Sequence, residues 1–166
     1  MMQTATRLCL VPYSAALLIA LASCGSPSAS VPACNLVTTS EIAAAYGGTV
    51  GPGRPNITPG VADSSSCVYI VKGGNVGTDG DIDVAALAPM SLPSFQTWAS
   101  NPLLGHKPLS GLGDAAFYSD EGGVVFQKGS RPYGVAFGVL ASTTRAEILK
   151  AHEDDMKLAG VLAGKV

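Results

Sequence analysis

The pattern of apolar positions changes character near residue 23. Leu8 to Ala22 is mostly Leu, Ala, Val and Ile. Beyond it the apolar residues become periodic. Thr38-Thr-Ser-Glu41 has the form of a capping box, Ile42 to Tyr46 continues a helix, and Gly47 is a natural stop. Cys67-Val-Tyr-Ile-Val71 is a β run. In Asp81 to Leu87, Ile82, Val84 and Ala86 share one face while Asp81 and Asp83 take the other, which predicts a half-exposed strand. Ser91 to Ser100 predicts a short helix with Pro93 in its first turn and Phe95, Trp98 and Ala99 along one side. Three more strand runs follow: Ala115 to Ser119, Gly123 to Lys128 and Tyr133 to Leu140, separated by the turn signals Gly122-Gly123 and Gly129-Ser130. The last run is apolar on both faces. Tyr133, Val135, Phe137 and Val139 form one row, and Gly134, Ala136 and Gly138 form another with room for a helix, so this strand is expected at the centre of the sheet. A second capping box, Thr144-Arg-Ala-Glu147, opens a final helix with Ile148, His152, Met156, Ala159 and Ala163 at helical spacing, the expected cover of that strand. Gly51 to Ser66 and Asn101 to Gly113 lack any apolar period and are expected as long loops.

The order is therefore α-β-β-α-β-β-β-α. Sustained βαβ alternation is missing and hairpin turns dominate the second half. The expected fold is α+β: an antiparallel sheet of about five strands with helices packed on one side.

The first apolar run has a different meaning. It follows a single positive charge, Arg7, is about fifteen residues long and contains Pro12. That suits the core of a signal peptide and is too short for a span of about 20 residues. It ends in Leu21-Ala22-Ser23-Cys24, which resembles a bacterial lipoprotein lipobox. The resemblance implies a signal peptide over 1–23 and a diacylglycerol thioether on Cys24, with palmitate-type acyl chains; two or more chains give stable anchoring where one does not. Gly25-Ser-Pro-Ser-Ala-Ser-Val-Pro32 has tether composition, with a root-mean-square reach of about 16 Å. The expected organisation is 1–23 signal peptide, 24–33 lipidated cysteine and tether, and 34–166 a single domain at the extracytoplasmic face of the cell membrane.

Charge narrows the partners. Ten basic side chains face twelve acidic ones, a net charge of −2, or −3 once Arg7 leaves with the signal peptide. That argues against nucleic acid, which needs a basic footprint, and against a polybasic lipid patch. Of four cysteines, Cys9 leaves with the signal peptide and Cys24 takes the lipid. Cys34 and Cys67 remain, and in an oxidising compartment a disulfide is the default, worth about 3–4 kcal/mol by loop closure. The alternative, a two-cysteine metal site, needs further ligands, and the only histidines, His106 and His152, are far away in sequence.

A wider resemblance rests on several of these segments together: the lipobox, the Ser/Pro tether, Cys34-Asn-Leu-Val-Thr-Thr-Ser-Glu-Ile-Ala-Ala-Ala-Tyr-Gly47, Cys67-Val-Tyr, Gly111-Leu-Gly-Asp-Ala-Ala116 and Lys128-Gly129. The chain resembles actinobacterial, mycobacterial-type lipoproteins that carry a small domain of unknown function. The resemblance implies the Cys34–Cys67 disulfide, an α+β fold and a cell-envelope location. It brings no activity and no catalytic residues.

Candidate chemistry is sparse. A Ser-His-acid arrangement would have to use His106 or His152; the first sits in a Gly/Pro loop, as a surface residue would, and the second falls on the apolar face of the last helix, as a satisfied core histidine would. Asp79-Gly-Asp-Ile-Asp83 resembles the opening of a Ca²⁺ loop, but Val84 and Met90 stand where Gly and Glu are needed, so a solvated strand face is expected. Asn56-Ile-Thr58 is a formal glycosylation tripeptide without relevance to a bacterial lipoprotein. Trp98 suits a core anchor, and Gly111-Leu-Gly113 is too short for a phosphate loop. The expectation is a membrane-anchored, non-enzymatic binding module of the cell envelope, with no metal, cofactor or nucleic acid, whose partners are the bilayer through acylated Cys24 and an envelope protein, lipid or small ligand. The alternative is an envelope hydrolase with a divergent site.

Overall fold

The computed structural model describes residues 31–56, 63–77, 79–119, 123–138 and 144–166. The expected signal peptide, Cys24 and the expected tether as far as Ser30 lie outside the described residues, as do Ile57 and Thr58 of the glycosylation tripeptide, Gly122 of one turn and Val139 and Leu140 of the expected last strand.

The domain is α+β. A 3₁₀ turn, Ala33–Asn35, leads into α1, Thr39–Tyr46. Both halves of the predicted capping box are present: Glu41 N–H donates to Thr38 Oγ1, and Thr38 N–H donates to the Glu41 carboxylate at 2.8 Å. Gly47 ends the helix at φ 72°, a left-handed value that a residue with a Cβ rarely adopts. Four strands follow, β1 Thr49–Val50, β2 Arg54–Asn56, β3 Ser65–Lys72 and β4 Gly80–Ala86, then α2, Leu92–Ala99, and a second 3₁₀ turn, Pro102–Leu104. The second half contributes β5 Lys107–Leu109, β6 Ala115–Tyr118, β7 Val124–Lys128, β8 Arg131–Phe137 and α3 Arg145–Ala163, which opens on the second predicted capping box.

The eight strands of the described residues belong to one antiparallel sheet, with β1-β3-β4-β8-β7-β6-β5 as its order and β2 also paired to β3. The expected count of about five omits β1, β2 and β5, each only two or three residues long. They fall at the sheet margins, where the ladder of a longer neighbour defines them rather than any alternation of their own. Pro55 and Pro108 sit in two of them, as suits edge strands. The expected loops Gly51 to Ser66 and Asn101 to Gly113 are thus partly strand, and the expected order also omits the two 3₁₀ turns. β8 does lie inside the sheet, between β4 and β7.

The helices are not all on one side. Successive side chains of a strand point to opposite faces. On one face Tyr69, Val71, Ile82, Val84, Val124, Phe126 and Val135 pack under α1 and α3. On the other, Phe117 of β6 meets Phe95 of α2 with ring centroids 5.6 Å apart. Its neighbour Tyr118 stacks on His152 of α3. So α2 covers the opposite face from α1 and α3. The small row Gly134, Ala136 and Gly138 faces away from α3, whose seat is the Tyr133, Val135 and Phe137 row.

Cys34 and Cys67 form a disulfide, Cα to Cα 5.0 Å, that ties the first 3₁₀ turn to β3. Beside it Tyr69 Oη donates to Val37 O at 3.2 Å, holding the same segment down. The Gly111-Leu-Gly-Asp-Ala segment also has a structural job. Gly113, at φ 59°, presses so closely on Gln127 O that no Cβ fits. Leu112 enters the core, and Asp114 Oδ2 accepts from Gly129 N–H at 2.7 Å across the β7–β8 turn.

Candidate functional site

The α2 face carries the site. Ser91 Oγ caps the helix by accepting from Ser94 N–H, and Pro93 fits the first turn, where no intrahelical donor is needed. One turn on, Phe95 is fully buried against Phe117, and Trp98 meets Phe117 edge-on at 4.9 Å. The helix ends at Ser100, whose Oγ donates to Gln96 O at 2.8 Å. Asn101 Oδ1 then accepts from Leu103 N–H, capping the Pro102–Leu104 turn, and Gly105 at φ 60° swings the chain into β5.

That reversal delivers His106 to the aromatic cluster. Its ring stacks on Phe117 at 4.0 Å between centroids and meets Trp98 edge-on at 5.9 Å. Nδ1 lies 3.2 Å from Trp98 O. A carbonyl can only accept, so Nδ1 donates to it and Nε2 is the ring nitrogen left for a ligand. Between α2 and the β5–β6 edge lies a pocket of about 440 Å³. Ala99, Pro108 and Leu109 give it an apolar wall, and Gln96, Ser100 and His106 give it polar atoms. Size and lining suit a small molecule with an apolar body and a few hydrogen-bonding groups.

The other sequence candidates are dispersed. His152 lies on the α3 face, stacked flat on Tyr118 at 3.3 Å. Partial burial lowers its pKa and the Lys107 charge lowers it further, with Glu153 opposing. The sheet therefore separates the two histidines, and Ser100, the hydroxyl in the His106 pocket, is engaged with its own helix. Asp79 Oδ1 accepts from Gly73 N–H and closes the β3–β4 hairpin. Asp83 is on the α2 face of β4. Its carboxyl is raised above its ordinary range by partial burial, with Ser66 and Asn56 hydrogen bonds opposing. Among the described residues no group of three or more His, Cys, Asp or Glu could hold a metal ion, and no helix is long and apolar enough to cross a membrane.

A second cluster escaped the sequence reading. The buried stripe of α3 is Ala151, Asp155, Leu158 and Leu162, with Asp154 and Ala159 beside it; Ile148, His152, Met156 and Ala163 are only half-buried on its shoulder. Tyr46 Oη donates to Asp155 Oδ1, and the Phe137 backbone N–H donates to the same carboxyl. Burial raises Asp155 to about 7 against those two hydrogen bonds, with the Asp154 charge adding to the rise. Burial and the same carboxylate push the Tyr46 hydroxyl far above its usual range. Asp154, fully buried, pairs with Lys157 at 2.7 Å and Lys150 at 3.4 Å. The spacing of Ala151, Leu158 and Leu162 marks this stripe once an acid is admitted at its second position. No protein-family model, curated protein or solved structure matches the chain.

Proposed function

We propose that this chain is a lipid-anchored binding module of the extracytoplasmic membrane face, non-enzymatic, that takes a small amphiphilic ligand in the pocket between α2 and the β5–β6 edge. The address comes from Leu21-Ala22-Ser23-Cys24 and from the likeness to actinobacterial lipoproteins with a small domain of unknown function. The binding role is carried by one observation: a cavity of about 440 Å³ that joins an apolar wall to the polar atoms of Gln96, Ser100 and His106. Pockets of this kind take small ligands by burying the apolar body and fixing orientation through a few polar contacts.

The test uses the neutral fluorescent amphiphile 1-N-phenylnaphthylamine with the full detergent-solubilised protein. Saturable binding is expected for the wild type, and its loss in Ala99→Trp, which fills the pocket from the wall. His106→Ala should weaken binding without abolishing it. Unchanged, saturable binding by Ala99→Trp with an intact Cys34–Cys67 bond would place the probe elsewhere and overturn the assignment; so would absence of saturable binding in the wild type.

A further inference from the structure

The acidic side chains are unevenly distributed. Residues 84–113 contain no Asp or Glu, in a chain with twelve of them, and Lys107 is the only formal charge in that stretch. The same stretch builds the lobe made of α2, the Pro102–Leu104 turn and β5. It also carries Leu92, Leu103 and Leu104, three of the large apolar side chains that the described residues expose; Leu103 is 90% exposed. Leu103 is not on a loose loop. Asn101 caps its turn and Gly105 closes it, so the two leucines stand on a fixed support beside His106, while Lys107 pairs with Tyr118 on the α3 side of the sheet.

We infer that this lobe docks on the surface of the bilayer that carries the Cys24 anchor, a reading that rests on lipidation of Cys24. The expected tether keeps the domain near the bilayer: eight residues of this composition have a root-mean-square reach of about 16 Å. The lobe begins at the end of the sheet where that tether enters. Ala33 N–H donates to Ser65 Oγ, Ser65 pairs with Ala86, and residues 87–91 run from there into α2. The stretch adds no carboxylate that would repel anionic headgroups, and protruding leucines with a neighbouring tryptophan fit the boundary between headgroups and acyl chains. The contact is apolar in kind, in keeping with the absence of a polybasic patch.

Trp98, the only tryptophan of the chain, lies in this lobe and reports on it. The lipidated protein is reconstituted into phosphatidylethanolamine/phosphatidylglycerol vesicles with acyl chains brominated near the headgroup. Wild type should float with the vesicles and show Trp98 quenched and blue-shifted. Leu103→Asp/Leu104→Asp should float equally and lose the quenching; both positions are exposed, so the fold is kept. Wild type that floats with Trp98 unquenched overturns docking and leaves the anchor standing, and the leucines then belong to a protein partner. Equal quenching in the double variant also overturns it. Failure of the wild type to float overturns the anchor, and this proposal with it.

Discussion

Asp155 is a carboxyl held among apolar neighbours, and its protonation is tied to folding. Its pKa rises from an ordinary 3.8 to about 7 in the folded state. A raised pKa means that the folded chain holds the proton over a range where the unfolded chain has lost it. The stability it contributes is full below pH 3.8 and is lost as pH climbs through about 7, by about 2–4 kcal/mol. His152 works the other way, since its lowered pKa removes stability as pH falls below its ordinary 6.5. The informative measurement is thus a comparison: urea midpoints at pH 5 and pH 8 for wild type and Asp155→Asn. The variant should show a clearly smaller loss between the two; an identical loss would mean that Asp155 is not the group titrating. Tyr46 is what makes the burial tolerable, because its hydroxyl supplies a donor from α1 to a side chain of α3. None of this was visible in the pattern of apolar residues. An Asp in a helix reads as solvated until the face it occupies is known.

At the scale of elements, the local signals were legible and the faces were not. Thr38 with Glu41 and Thr144 with Glu147 marked both helix starts, since a cap depends only on residues three apart. The alternation of Ile82, Val84 and Ala86 marked β4 and its buried face for the same reason. Which side of the sheet a helix takes depends on chain reversals far away, and α2 went to the side opposite α3. The pocket followed from that, because His106 reaches Phe117 only when α2 covers the Phe117 face. The α3 stripe shows a related difficulty. Ile148, His152 and Met156 keep helical spacing, yet the helix is turned so that Leu158 is fully buried and Met156 is not. Leu158→Ala should therefore cost about 2–5 kcal/mol in chemical denaturation, as a fully buried leucine does. Met156→Ala should cost clearly less; equal losses would restore the stripe expected from spacing.

For the molecule as a whole, the Cys34–Cys67 bond fixes the N-terminal edge of the described domain. It ties the first 3₁₀ turn to β3, and Tyr69 clamps the same segment with a hydrogen bond to Val37 O. The pairing was legible because the sequence reading assigns Cys9 to a signal peptide and Cys24 to a lipid, which leaves Cys34 and Cys67 as one pair. Reduction should lower stability by about 3–4 kcal/mol, read as a shift of the urea midpoint with and without reductant. Thiol alkylation of Cys34 and Cys67 should require that reductant, and rapid labelling of both in its absence would refute the bond.

The pairing of β4 with β8 reaches beyond architecture into the order of folding. Ile82 finds its partner in Phe137, and Ala86 in Tyr133. The β3–β4 hairpin forms early because its ladder is local, but one long side of β4 then stays open until nearly the whole chain is present. Contacts of this span slow folding, and an open apolar strand edge is where chains join wrongly. β8 acts as the closing strand: it seals β4 on one side, receives β7 on the other and gives α3 its seat. A chain that lacks β8 is not a smaller version of this domain. It is a pair of separate meanders with exposed edges, prone to aggregate.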